Sequence, residues 1–314
     1  MPVIAVAGGT GGIGRTIVEE ILATGNHEVK ILSRQPNPEL EALIGATILA
    51  VDYSNIKVLT QVLEDNNVHT LISTLTFRVQ EGVPPEVQLV LAADASKTTK
   101  RYVANNWGVP IKEGDDILMP PMAFKVDALK ALKLAKDLTY TSFYTGFFLD
   151  YWGIPTVKSH MTPGTMVVDI PHNAAAIPGS GNTPVAFTHT RDVAKYVAAA
   201  MDLEKWDTGY NLTADKVTWN EFIALAENAR GTKFNVAYDD VEKLKAGQVT
   251  ELPAQLKAGL FGTGDMYRKF LAAAYLLMEN GKFNVSDGTK AVDVFPGIKP
   301  KTVKSLLEEA WKKD

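Results

Sequence analysis

Two groups of residues near the amino terminus have the types and spacing to do chemistry. The apolar run Val3-Ile4-Ala5-Val6-Ala7 passes without a break into Gly8-Gly9-Thr10-Gly11-Gly12-Ile13-Gly14, and the amphipathic stretch 15–23 follows. Glycine at 8, 11 and 14 permits positive φ angles and a close approach of the backbone to an anion. The helix that follows turns its free N–H groups and positive dipole end toward that anion. Strand, glycine triplet and helix in this order predict a dinucleotide site formed by Gly8, Thr10, Gly11, Gly12, Ile13, Gly14 and Arg15. A tight strand-to-helix turn without a ligand would use the same glycines.

The second group ends the next apolar run, Ile31-Leu32-Ser33-Arg34. An NAD site usually carries Asp or Glu there for the ribose 2′-hydroxyl. A guanidinium instead suits a 2′-phosphate, which it can hold through a bidentate, charge-assisted pair. Arg34 therefore predicts NADPH as the cofactor, with Thr10 and Arg15 able to add to the pocket; a solvated loop arginine is the alternative.

The elements that must position these residues follow from periodicity. Apolar runs at 3–7, 28–33, 47–51, 69–75, 99–104 and 139–145 alternate with helical patterns at 12–24, 55–66, 84–95 and 120–136. Such alternation predicts an α/β fold, a doubly wound parallel Rossmann sheet over residues 1–155. Beyond Pro155, short strand-like segments (164–170, 184–187) lie among Pro/Gly turns, and helices are expected at 191–202, 218–230 and 300–313. Residues 156–314 are read as a smaller substrate-binding subdomain, with about 184–202 returning to the Rossmann sheet. Helices 218–230 and 300–313 either cover a monomer or pair two subunits of a homodimer.

Composition narrows the function classes. The 314 residues are 46% hydrophobic, carry a net charge of −4 and include no cysteine. No basic stripe is available for nucleic acid, and thiolate chemistry and disulfides are excluded. No apolar run approaches the ~20 residues that span a bilayer, and the first strand begins at residue 3, so a cytoplasmic location is expected. The five histidines (27, 69, 160, 172 and 189) show no i, i+4 pairing, and no metal site is expected. His189 is read as a structural anchor.

The glycine loop, Arg34, Val51-Asp52-Tyr53, Ile72-Ser73-Thr74-Leu75, the stretch from Arg101 to Gly108, Phe187-Thr188-His189-Thr190-Arg191-Asp192-Val193-Ala194 and the segment 212–222 together resemble the NmrA-like branch of atypical short-chain dehydrogenases. Within that branch they are most similar to the fungal isoflavone-reductase-like proteins. The resemblance implies that Lys125, on a Phe/Lys-bearing helix before the next core strand, is the catalytic residue and also touches the nicotinamide ribose. It implies too that Tyr53 packs beside the adenine, with Asp52 hydrogen-bonding it. A lysine in that position can protonate the oxygen that becomes negative as hydride arrives. By pattern alone Lys125 reads as an exposed helix lysine paired with Asp127 or Glu113. Tyr53 and Lys57 have Tyr-x-x-x-Lys spacing but lie after the third strand, at the adenine end. No other tyrosine has a lysine four residues on, so the standard short-chain dehydrogenase pair is absent.

Further cofactor contacts are expected where strands end at the sheet's carboxyl edge: Ser73, Thr74 and Leu75 after strand four, Asn105 after strand five, and Thr145, Gly146 and Phe147 after strand six. Asn106, Trp107, Phe148, Tyr151 and Trp152 are expected to line an apolar substrate pocket. Together these residues point to an NADPH-dependent reductase of a small hydrophobic molecule, reducing a ketone, an imine or a quinone-methide-like carbon. An NADP(H)-sensing regulator without turnover, or a dehydratase or isomerase on the same fold, would share the cofactor groups. Lys125 separates the reductase from the sensor.

Overall fold

The computed structural model describes residues 1–76, 82–115, 122–257 and 265–312. Six apolar runs form one sheet: β1 (Val3–Ala7), β2 (Glu28–Ser33), β3 (Thr47–Ala50), β4 (Val68–Ser73), β5 (Arg101–Val103) and β6 (Thr139–Thr141). Their order is β3-β2-β1-β4-β5-β6 and every neighbouring pair is parallel. All five residues of β1 are buried, as a strand covered on both faces requires.

Helices α1 (Gly12–Thr24), α2 (Pro38–Ile44), α3 (Ile56–Asp65), α4 (Pro85–Ala95) and α5 (Ala123–Leu134) connect the strands. Residues 120 and 121 of the helix expected at 120–136 lie outside the described residues, as does 313 of the helix expected at 300–313. On one face α3, α4 and α5 pack in a row; α1 packs against α6 (Thr190–Met201). Alternation along β1 turns Val3, Ala5 and Ala7 toward Leu59 and Leu63 of α3, Leu89 and Val90 of α4, and Leu132 of α5. Each of those buried leucines contributes on the order of 2 kcal/mol by removing its side chain from water. The chain builds outward from β1 to β3, then returns to β4 on β1's other side. The carboxyl ends of β1 and β4 therefore flank the point where open α/β sheets take ligands.

The strand expected at 139–145 is three strands in three sheets. β6 stays in the parallel sheet, β7 (Phe143–Tyr144) pairs with β12 (Tyr210–Asn211), and β8 (Phe147–Phe148) pairs with β11 (Val185–Thr188). Gly146 makes the last turn at φ +65°, where a Cβ would lie 2.1 Å from the Ala186 carbonyl oxygen.

The chain forms two compact units. The first comprises 1–144, 190–212 and 287–298; the second comprises 145–189, 213–286 and 299–314. By this division residues 145–155, read from sequence with the Rossmann part, group with the second unit. Of the expected return at 184–202, residues 190–202 group with the sheet. The second unit has an aromatic core in which Phe147, Trp152, Phe187, Trp219 and Phe222 meet at centroid distances of 5.1–6.2 Å. It also contains β9 (Val168–Asp169), β10 (Ala174–Pro178), β13 (Asp215–Val217) and β14 (Asn235–Asp239). Its helices are α7 (Trp219–Arg230), α8 (Val241–Lys245), α9 (Pro253–Lys257), α10 (Asp265–Glu279) and α12 (Val303–Trp311). The short helix α11 (Ala291–Val294) and strand β15 (Thr289–Lys290) belong to the first unit. Helices α7 and α12, read from sequence as either covering or pairing elements, pack on each other. No helix among the described residues is long and apolar enough to cross a membrane.

Candidate active site

Backbone and Thr74 contacts leave no room for side chains at Gly8 and Gly14. Gly8 sits at φ +83°, its N–H donating to the Leu32 carbonyl (3.2 Å). Thr74, one residue past β4, donates both its N–H (2.9 Å) and its hydroxyl (2.7 Å) to the Ala7 carbonyl. That stitch brings Thr74 so close that a Cβ on Gly14 would lie 2.3 Å from its Oγ1 and 2.5 Å from the Gly8 carbonyl oxygen. Gly11, the N-cap of α1, has the opposite surroundings: nothing lies within 4 Å of where its Cβ would be. The helix has no capping side chain and no acid in its first turn. Its first N–H groups thus face open space and a positive dipole end, which fits a pyrophosphate. Gly14→Ala is expected to displace Thr74 or the loop, costing about 1–3 kcal/mol of stability and abolishing tight nucleotide binding. Thermal unfolding and calorimetric titration read the two effects.

At the other end of this cradle Arg34 is exposed, directly after β2. Among the described residues no hydrogen bond or ion pair engages it, so its guanidinium is available to a phosphate. Arg15 differs: its Nε donates to Glu19 (3.0 Å), one turn along α1.

A second cluster lies at the same edge and includes a residue that the sequence did not single out, Glu86. It occupies the first turn of α4 and is buried. Its carboxylate accepts hydrogen bonds from the hydroxyl of Ser73 at the end of β4, from the Tyr102 hydroxyl (2.8 Å) and from the Asn105 N–H (3.3 Å). Asn105 in turn donates its side-chain N–H to the Leu75 carbonyl (2.8 Å), and Trp107 donates its indole N–H to the Ser73 carbonyl (2.9 Å). Burial raises the Glu86 carboxyl above the usual carboxylate range, with the donors from Ser73, Tyr102 and Asn105 and the charge of Lys125 opposing that rise. Lys125, half-buried in the first turn of α5, is pushed down by burial, with Glu86 opposing. The alternative pairing of Lys125 does not occur: Asp127 pairs with Lys130 (3.7 Å) and Glu113 with Lys133 (3.0 Å). A desolvated lysine with a depressed pKa at a sheet's carboxyl edge can hold or deliver a proton.

Known proteins bear on this geometry. The model of the NmrA-like family matches residues 2–305. The chain belongs to the NmrA-like family. Among curated relatives, oxidoreductase BOA1 of Botryotinia fuckeliana is 37% identical over 74% of this chain and 77% of its own length. Phenylcoumaran benzylic ether reductase TP7 of Nicotiana tabacum is 25% identical over 97% of each chain. Among solved structures, the binary complex of leucoanthocyanidin reductase with NADPH from Vitis vinifera shares the fold, with a TM-score of 0.73 over 98% of each chain at 18% identity.

The remaining expected site residues of this NmrA-like protein divide sharply. Ser73, Thr74, Leu75, Asn105 and Lys125 gather at the carboxyl edge with the glycine loop. Asn106 joins them, and its buried Oδ1 has no hydrogen-bond partner among the described residues. Four others have intramolecular partners. Tyr53 is buried in the core with Leu59 and Leu63, its hydroxyl donating to the Leu32 carbonyl (2.9 Å). Asp52 is exposed, and its carboxylate accepts from the Ser54 N–H (2.9 Å) and hydroxyl (2.7 Å), closing a local turn. Trp107 is partly buried, its ring stacked on Phe143 at 5.9 Å and its N–H engaged by the Ser73 carbonyl. Phe147 stacks on Phe283 at 4.5 Å inside the second unit's aromatic core.

Thr145, Gly146 and Phe148 also fall in the second unit. Thr145 is buried, its carbonyl accepting from the Thr188 hydroxyl (2.8 Å). Tyr151 and Trp152 do border a cavity there, of about 160 Å³, together with Gly164, Val168 and Trp311. His189 is buried, with Nε2 3.7 Å from the Asp150 carboxylate, in keeping with an anchoring role.

Proposed function

We propose that this NmrA-like protein is an NADPH-dependent reductase acting on a small hydrophobic carbonyl, imine or quinone-methide-like compound of the phenolic or polyketide type. One observation carries the reading. A half-buried lysine with no ion-pair partner among the described residues stands at the sheet edge that carries an open glycine cradle and an exposed Arg34. A protein that only senses the dinucleotide needs the cradle and the arginine but has no use for a desolvated ammonium. The oxidoreductase relatives and the NADPH-bound fold neighbour agree with the same reading.

The residues divide the work as follows. Gly11, Gly12 and the first turn of α1 would hold the pyrophosphate, and Arg34 the 2′-phosphate. NADPH, when bound, supplies the hydride and leaves as NADP⁺. Lys125 would give its proton to the substrate oxygen or nitrogen that gains the electron pair, so that charge does not build up in a dry site. The unpartnered Oδ1 of Asn106 offers an acceptor to a substrate hydroxyl.

The test is a titration of the purified protein with NADPH and with NADH, followed by a screen of aromatic ketones, cyclic imines and enones for loss of NADPH absorbance. Binding of NADPH in preference to NADH, with turnover of at least one class, is expected. Tight NADPH binding without turnover of any class would favour the sensing role, and absence of binding would end the reductase reading.

A further inference from the structure

We propose that Glu86 is a positioning residue for Lys125: its buried carboxylate keeps the lysine protonated and ties the ends of β4 and β5 into one rigid edge beside it. The proposal rests on the reading of Lys125 given above. Three features of the structure carry it.

The first is placement. Helices α4 and α5 pack side by side and each follows a strand of the parallel sheet, so both begin at the carboxyl edge. Glu86 and Lys125 occupy the first turns of those two helices, which brings opposite charges together in a poorly hydrated region. The second is the donor set. Ser73, Tyr102 and the Asn105 backbone all point hydrogens at one carboxyl group, an arrangement suited to an anion, which only accepts. These three donors favour the carboxylate form and oppose the neutral form that burial alone would favour. The third is that the other charged groups around Lys125 are engaged elsewhere. Asp127 and Glu113 hold Lys130 and Lys133, and Asp94, at the far end of α4, caps the N–H groups of Lys136 and Asp137 (2.9 and 3.0 Å). Tyr102 and Tyr53, which also sense Glu86, stay neutral because burial raises both. Among the described residues, Glu86 is the acid left to oppose the desolvation of the ammonium.

The sign of the effect follows. Burial favours the neutral amine and a facing carboxylate favours the ammonium. Removing the carboxylate charge therefore lets Lys125 lose its proton at lower pH.

The experiment is a pulse of acetic anhydride over a pH series on the wild-type protein and on Glu86→Gln, with acetylation of Lys125 quantified by peptide mass spectrometry. Only the neutral amine reacts, so the profile reports the titration of Lys125 without a substrate. Glu86→Gln is expected to shift the profile to lower pH and to raise acetylation several-fold near neutrality, with Lys130 and Lys133 unchanged as internal controls. Tyr102→Phe, which keeps the carboxylate but removes one of its donors, is expected to shift the profile in the same direction and serves if the glutamine variant does not fold. An unshifted Lys125 profile in a folded variant would overturn the proposal. Once a substrate is known, the alkaline limb of kcat should move with the acetylation profile. If the acetylation profile shifts but Lys125→Ala retains full turnover, the pairing stands and the proton-donor reading falls.

Discussion

Lys125→Ala is expected to lower kcat by on the order of 10²- to 10⁴-fold, the usual contribution of a placed general acid. NADPH affinity should change far less, because the glycine cradle and Arg34 carry most of the binding groups. Lys125→Arg should not restore turnover: a guanidinium keeps its charge but does not release a proton in the working range. The pH dependence has a defined sign. Burial lowers the pKa of Lys125, so the wild-type rate should fall on the alkaline side earlier than an exposed lysine would allow, as the ammonium that donates is lost. Rapid-mixing measurement of NADPH oxidation, paired with circular dichroism of both variants, separates lost chemistry from lost structure. Full turnover by Lys125→Ala would assign the proton to another group.

The other large effect is expected at the adenine end. Arg34 is exposed and no hydrogen bond or ion pair engages it among the described residues, so Arg34→Ala should leave the fold and its thermal transition unchanged. Its loss should weaken NADPH binding by roughly 10- to 100-fold, since a hydrogen-bonded charge pair is worth about 1.5–3 kcal/mol. NADH, which has no 2′-phosphate, should bind the variant and the wild type alike. Calorimetric titration with both nucleotides gives the four affinities. Equal losses for the two would mean that Arg34 shapes the loop and does not read the phosphate. Rising salt should also narrow the NADPH preference of the wild type, because this pair stands in solvent.

Much of this architecture is legible one segment at a time. The run 3–7 followed by glycines and an amphipathic stretch determines β1, its turn and α1, because hydrophobic period and positive-φ glycines are local properties. Thr218 with Glu221 marks the start of α7 in the same way, as a capping box. Arg34 and Lys125 were visible as candidates because each lies a short, regular distance from such an element. By contrast, the sequence at 174–178 is mostly alanine and has no strand preference; it becomes β10 because β14 and β9 supply partners on both sides. Residues 139–145 look like one continuous strand, and only the competing partners β12 and β11 divide this stretch and the residues that follow it.

The candidate site shows the same division. The sequence by itself determined the glycine cradle and placed Arg34 at the end of β2, since both depend on backbone conformation and one charge placed by local structure. Tertiary structure alone decided the fate of side chains whose partners are distant in sequence. Tyr53 turns inward because the Leu32 carbonyl, 21 residues away, accepts its hydroxyl. Phe147 is drawn into an aromatic core assembled from four separate segments of the chain. Glu86, which reads as an ordinary first-turn acid after Pro84 and Pro85, is buried because β4 and β5 bring Ser73 and Tyr102 to it. A carboxylate's environment is set by what the fold places around it, and no local pattern records that.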